Sequence, residues 1–194
     1  MTALIKRLKN KGENDFVDSN GVEEVPMQNI EQRLARHPFL RGIPGDNIKL
    51  IAEDAVLMVF KPGEMIMRQG RKANYLFLIE KGKVALGLLK SGEGPLTIQN
   101  LGKGDSLGWS WMFPPYKWKF DARAKTRVEI LAIEGRPLSA KMGRYPLLGY
   151  QVMKKMTESL AQRLEATRHQ LVRVYRQSLK AGQREFVYFP QPML

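Results

Sequence analysis

The stretch FKPGEMIMRQGRKANYLFLIEKGKV, residues 60–84, decides how the chain is read. Two short apolar runs, Met65–Met67 and Tyr75–Ile79, are set between KPGE (61–64), RQGRKA (68–73) and EKGK (80–83), each with a glycine where a tight turn needs one. Working outward, the same punctuation recurs at SGEGP (91–95) and GKGD (102–105). From Val56 to Ile133, short strands alternate with glycine-rich turns, the pattern of a sandwich, jelly roll or small barrel. Tyr75–Ile79 and Val84–Leu89 are the clearest strands, SGEGP is a hairpin loop into Leu96–Leu101, and Val128–Ile133 closes the region.

On the N-terminal side, Gln28–Arg36 has helical spacing and stops before Pro38. HPFLRGIPGD is a turn-rich bend, and Asn47–Ala55 reads as a second short helix with Ile48, Ile51 and Ala52 on one side. Residues 11–26, broken by Gly and Pro, read as a linker or arm. On the C-terminal side a long helix follows Tyr145-Pro146. Met153, Met156, Leu160, Leu164, Thr167, Leu171 and Val174 follow three- and four-residue steps, a narrow seam of the coiled-coil type. A helix of roughly 30 residues extends ~45 Å, longer than a small β domain is wide. Part of the seam is therefore expected to face another chain, a homodimer through this helix. The last stretch, AGQREFVYFPQPML, carries Phe186, Val187, Tyr188, Phe189 and Leu194 and is expected to dock as a tail on a protein surface. The divisions are an arm at 1–26, a β roll with its leading helices at 27–145, a long helix at 146–179 and a tail at 180–194.

Composition narrows the chemistry. The chain has 194 residues, no cysteine and two histidines, His37 and His169. That excludes thiolate zinc sites, iron–sulfur clusters and cysteine nucleophiles, as well as a three-histidine metal site within one chain. The net charge is +13, and residues 141–194 hold ten basic side chains against three acidic ones. Such a field favours anionic partners without choosing among them. The longest apolar run, Ala55–Phe60, is far short of the ~20 residues a membrane helix needs, and the expected location is cytoplasmic. His37 reads as a bend residue and His169 as solvent-facing. Asp121 and Glu129 are carboxylates with no base, nucleophile or metal cluster around them, so no catalytic constellation is expected.

The motifs resemble the cyclic nucleotide-binding domain of the catabolite-activator superfamily, over about residues 37–178. HPFLRGIP (37–44) resembles the bend leading into that domain. Residues 60–84 resemble its two central strands, with Gly63, Glu64, Gln69, Gly70 and Gly82 in place. LGKGDSLG (101–108) resembles the approach to its phosphate-binding cassette, and ARAKTRVEILAI (122–133) the strand after it. The resemblance implies a mainly β fold with α, a double-stranded β-helix (jelly roll) flanked by short N-terminal helices and a long C-terminal dimerisation helix. It also implies a site for a cyclic nucleotide, held by a glutamate just after Gly108 and an arginine eleven residues before Glu129. Those two positions are Trp109 and Trp118.

The cassette, GWSWMFPPYKWKF, instead holds six of the chain's seventeen aromatic residues, including all three tryptophans. Three readings stay open. The rings fill the pocket and become core. Or Gly108, Trp109, Ser110, Trp111, Lys117, Trp118 and Lys119 form an aromatic pocket for another ligand, with the serine and lysines as polar handles. Or a cyclic nucleotide binds in an altered pose. Cyclic AMP and cyclic GMP are expected to bind weakly or not at all, and no other cofactor is expected. The expected function is a non-enzymatic regulatory or adaptor protein, with a structural subunit of a larger assembly as the alternative. Too few residues follow the long helix for a helix-turn-helix domain, so direct sequence-specific DNA binding is not expected.

Overall fold

The computed structural model describes residues 22–23, 27–90 and 94–180. The molecule divides into two units, residues 1–156 and 157–194.

In the first unit, strand β1 (Val22–Glu23) is followed by helix α1 (Met27–Arg36), a 3-10 turn (Pro38–Leu40) and helix α2 (Gly45–Ala52). Strands β2 (Ala55–Phe60), β3 (Met65–Met67), β4 (Tyr75–Lys81), β5 (Val84–Lys90), β6 (Gly94–Leu101) and β7 (Ser106–Leu107) come next. A second 3-10 turn (Trp109–Met112) leads to β8 (Asp121–Ala124), β9 (Val128–Glu134) and helix α3 (Gly135–Arg144). Helix α4 (Pro146–Lys180) runs from this unit into the second. Its Pro146 sits at a helix start, where the missing N–H is no loss.

The strands form two antiparallel sheets, β1-β2-β9-β4-β7 and β3-β8-β5-β6. In the first, β9 lies between β2 and β4, so Leu131 faces both Leu57 and Leu78. Every residue of β2 and Tyr75–Ile79 of β4 is buried. This is why AVLMVF and YLFLI are continuous apolar runs, since only a strand covered on both faces needs no polar alternation. The strands follow the sequence expectation closely. Within the arm assigned to residues 1–26, Val22 and Glu23 pair with Met58 and Leu57 of β2, so that part is the sheet's edge and not a linker. Helix α3 carried no sequence expectation.

Polar side chains fix the leading helices to the sheet. The buried His37 imidazole accepts from Phe39 N–H at Nδ1 (3.2 Å), and its Nε2–H donates to Ile79 O (3.0 Å). That pattern needs the neutral ring with its proton on Nε2. Burial pushes its pKa below the ordinary value, and the Ile79 carbonyl only partly opposes this. Arg33 of α1 bonds Glu80 (2.8 Å) and Glu129 (2.9 Å), and Lys81 reaches Glu129 at 3.2 Å. Burial alone would raise the Glu129 carboxyl, but the hydrogen bonds from Lys81 and Arg33 outweigh it and hold it below the usual carboxylate range. Glu129 is thus an anchor of α1. Lys141 of α3 reaches Leu50 O (2.6 Å), Glu53 (2.7 Å) and Asp54 (2.5 Å).

The first turns of α4 are core, with Leu148, Val152 and Met156 all buried. Met156, counted by its spacing in the intermolecular seam, is 3% exposed and packs within its own unit. Its register brings it onto the same stripe as Leu148 and Val152, which already face the β roll. In the second unit, α4 is exposed along its described length apart from half-buried positions such as Leu160. Leu164 (73%), Leu171, Val172, Val174 and Tyr175 all lie open, as does His169. Residues 181–194 of the tail, with Phe186, Tyr188 and Phe189, lie outside the residues described, as do the first 21 residues.

Candidate functional site: an aromatic cassette

The cassette is built from a turn. Asp105 accepts Gly102 N–H at 2.7 Å, while Gly104 N–H donates to Ile79 O and Ile79 N–H to Asp105 O. These bonds lay Ser106–Leu107 beside Phe77–Leu78 of β4. Gly108 follows at φ 95°, and a Cβ there would stand 2.6 Å from Tyr75 O. No other residue fits both the backbone angle and the space. The chain then makes one 3-10 turn over Trp109–Met112.

Trp118 is the centre of the site. It is 3% exposed, its ring lies 5.9 Å from Phe77 at 32°, and it would sit 3.1 Å from a Cβ on Gly108. An indole therefore packs against the cassette glycine itself. Backbone bonds hold it there. Trp118 N–H donates to Arg71 O, Gly70 N–H to Trp118 O and Ala73 N–H to Tyr116 O, all between 2.7 and 2.9 Å. Asp121 accepts Gln69 N–H at 2.9 Å and extends the same contact.

The other predicted residues separate. Trp111 is buried with its ring against Gly135, where a Cβ would come within 2.7 Å of the ring. Its Nε1 is buried without a hydrogen-bond partner. Trp109 is half-buried and meets Phe113 edge to face at 6.4 Å. Ser110 is buried, whereas Lys117 and Lys119 flank the inward Trp118 and are exposed. The three polar handles therefore do not share one environment. Phe113 and Tyr116 are also exposed. Tyr116 has φ 55°, the left-handed region among the described non-glycine residues only here, which costs of order 1–3 kcal/mol.

Sequence reasoning missed Gly135, Tyr75 and Phe77 as walls of this site. Only Gly135 left a trace, as a glycine between a strand pattern and a helix. Burial, with the charge of Glu134 adding to it, pushes the Tyr75 phenol up, so it stays neutral. Among the described residues, no group of three or more His, Asp or Glu side chains could hold a metal ion.

Residues 57–145 match the pattern of the cyclic nucleotide-binding domain. The match runs from β2 to the end of α3, a little under half of the chain. The fold is also that of a cyclic nucleotide-binding domain from Methylobacillus flagellatus, 16% identical, with a TM-score of 0.63 over 75% of this chain and 82% of that one. The catabolite activator protein of Thermus thermophilus is 24% identical, with a TM-score of 0.56 over 71% of this chain and 63% of its own. The regulatory subunit of a cAMP-independent protein kinase A from Trypanosoma cruzi, in a structure bound to guanosine, is 22% identical. Its TM-score is 0.57 over 80% of this chain, which spans 51% of that subunit. At these identities the likeness is one of fold. The chain thus carries a cyclic nucleotide-binding fold, and among the described residues no helix is long and apolar enough to cross a membrane.

Proposed function

We infer that this β roll is a non-catalytic regulatory or adaptor domain that does not take cyclic AMP or cyclic GMP in the family's usual way. The observation that carries the reading is Trp118. By the spacing from Glu129 it occupies the place of the phosphate-binding arginine, and its indole is buried against Gly108 and Phe77. An arginine there would supply a charge-assisted, two-pronged grip on the phosphate. Losing that grip forfeits ~1.5–3 kcal/mol, and losing the glutamate at Trp109 a similar amount. Together these correspond to roughly two to four decades in affinity. Lys117 and Lys119, both exposed beside Trp118, are point charges and offer no planar fork.

Isothermal titration calorimetry of the full chain with both nucleotides tests this. The expected dissociation constants are in the millimolar range or beyond detection. A value below ~10 µM, about −7 kcal/mol, shows that the aromatic cassette is a working nucleotide site. A neutral nucleoside is the second ligand class to titrate. The Trypanosoma cruzi subunit is described with guanosine, which has no phosphate. A site without a phosphate cation loses nothing against such a ligand.

The output of the domain is assigned to α4. Leu164, Leu171, Val174 and Tyr175 form an exposed apolar stripe on this helix, and we propose a second copy of the chain as its cover. Residues 180–194 are proposed as a protein-docking tail.

A further inference from the structure

We propose that the Phe113–Lys119 loop, with the turn beside it, is a docking site for an anionic lipid surface. Five successive residues, Phe113 to Lys117, are exposed. Phe113 is 47% and Tyr116 49% exposed, so each ring shows about half of its surface to solvent. Four of the five are Phe, Pro, Pro and Tyr. Consecutive exposed apolar residues are unfavourable in water unless something covers them.

Cations surround this run. The hydrogen bonds between residues 70–73 and 116–118 bring Arg71 and Lys72 beside Lys117, and Lys72 stands directly opposite Lys117 in an antiparallel bridge. Like charges directly opposite each other are destabilising. Trp118 is buried, while Lys117 and Lys119 on either side of it are both exposed. Arg68, Arg71, Lys72, Lys117 and Lys119 are all exposed, and residues 68–73 and 113–120 contain no acidic side chain. The patch is a complement to a plane of negative charge.

The combination selects the partner. Aromatic side chains at the headgroup level, ringed by lysine and arginine, suit the interface of an anionic bilayer. Single-stranded nucleic acid stacks successive bases on aromatic rings, whereas Phe113 and Tyr116 are separated by two prolines. An apolar run gains from entering the interface, which no free phosphate or headgroup analogue offers. The assignment does not depend on what the cassette binds. It uses the outward residues of the same segment whose inward residue is Trp118.

The test mixes the full-length protein with vesicles of phosphatidylcholine alone, and with vesicles containing roughly one-third phosphatidylserine. The protein is expected to sediment with the anionic vesicles and not with the neutral ones, and to be released by salt. All three tryptophans lie in residues 109–118, so brominated acyl chains are expected to quench the intrinsic fluorescence. Binding without quenching would place the contact elsewhere in this basic chain and overturn the proposal. The triple variant Lys72→Gln, Lys117→Gln, Lys119→Gln is expected to lose about a hundredfold in partitioning, at a factor of about five per lysine. Unchanged partitioning overturns it. Phe113→Ser, an exposed single change, is expected to weaken quenching more than sedimentation. Circular dichroism melts show that each variant is folded. Displacement from vesicles by a short single-stranded oligonucleotide, but not by inorganic phosphate, would give the patch to nucleic acid and overturn the lipid assignment.

Discussion

Two regions of this protein carry large apolar residues at regular intervals, and the fold treats them oppositely. Around residues 116–120 the aromatic interval is two residues, and Trp118 is buried against a wall made by Gly108 and Phe77 while Lys117 and Lys119 stay in water. Along α4 the interval is helical, and the stripe changes environment partway. Leu148, Val152 and Met156 are core, whereas Leu164 and Leu171, which belong to the same seam as Met156, are open. Periodicity states which residues share a side. Whether that side is covered depends on what the rest of the molecule brings to it. The cassette has Gly108 and β4 close behind it, while the far part of α4 lies in a separate unit.

The strongest way to break this contrast is Trp118→Ala. If the indole is core, its removal leaves a cavity and is expected to cost ~3–5 kcal/mol in urea unfolding. A loss under ~1 kcal/mol, within the range of surface changes, would mean that the ring fills a ligand pocket loosely. The other half is tested by Leu164→Arg. Under the proposed dimer, a charge enters the seam from both chains, and sedimentation analysis at micromolar concentration is expected to show monomer where the parent is dimer. Thermal stability of the β roll is expected to stay unchanged, because Leu164 is 73% exposed in the single chain. A monomeric parent would refute the dimer outright.

A smaller effect is expected at the polar anchors. Arg33→Met removes the cation shared by Glu80 and Glu129 and leaves Lys81 as the recorded partner of Glu129 alone. The three side chains are 15–28% exposed, so the expected loss is ~1–3 kcal/mol, between that of surface and buried pairs. The smallest effect is the pH response of His37. Its folded pKa is lowered, so its contribution is fully present above the unfolded value of about 6.5 and is lost as pH falls below that. The Glu129 carboxyl, also lowered, adds a second loss below about pH 4.5. Melting temperature is thus expected to be flat above neutrality and to fall in two stages on acidification. In His37→Gln the first stage is expected to vanish from a lower plateau.

Much of the molecule was legible in the chain. Glycine-punctuated apolar runs place the strands because turn chemistry is local, and Pro38 places the end of α1 and Pro146 the start of α4 for the same reason. That tryptophans stand at 109 and 118, where the resemblance implies a glutamate and an arginine, came from the family's motif and not from the residues alone. The edge strand at Val22–Glu23 was not readable, because two residues bear no period and gain their bonds only from β2. Helix α3 was hidden because Gly135 and Pro137 weigh against a helix locally. Gly135 is there because the Trp111 ring occupies the space where a Cβ would stand.

The sequence by itself determined most of the strands and the helices other than α3, since turn chemistry and helical spacing follow from neighbours a few residues apart. Only the tertiary structure decided that Trp118 is sealed against Gly108, that Trp111 lies over Gly135 and that Lys72 faces Lys117. It also decided that Met156 belongs inside while Leu164 does not. Those outcomes rest on contacts between segments tens of residues apart, and no local pattern encodes which surfaces such contacts will cover.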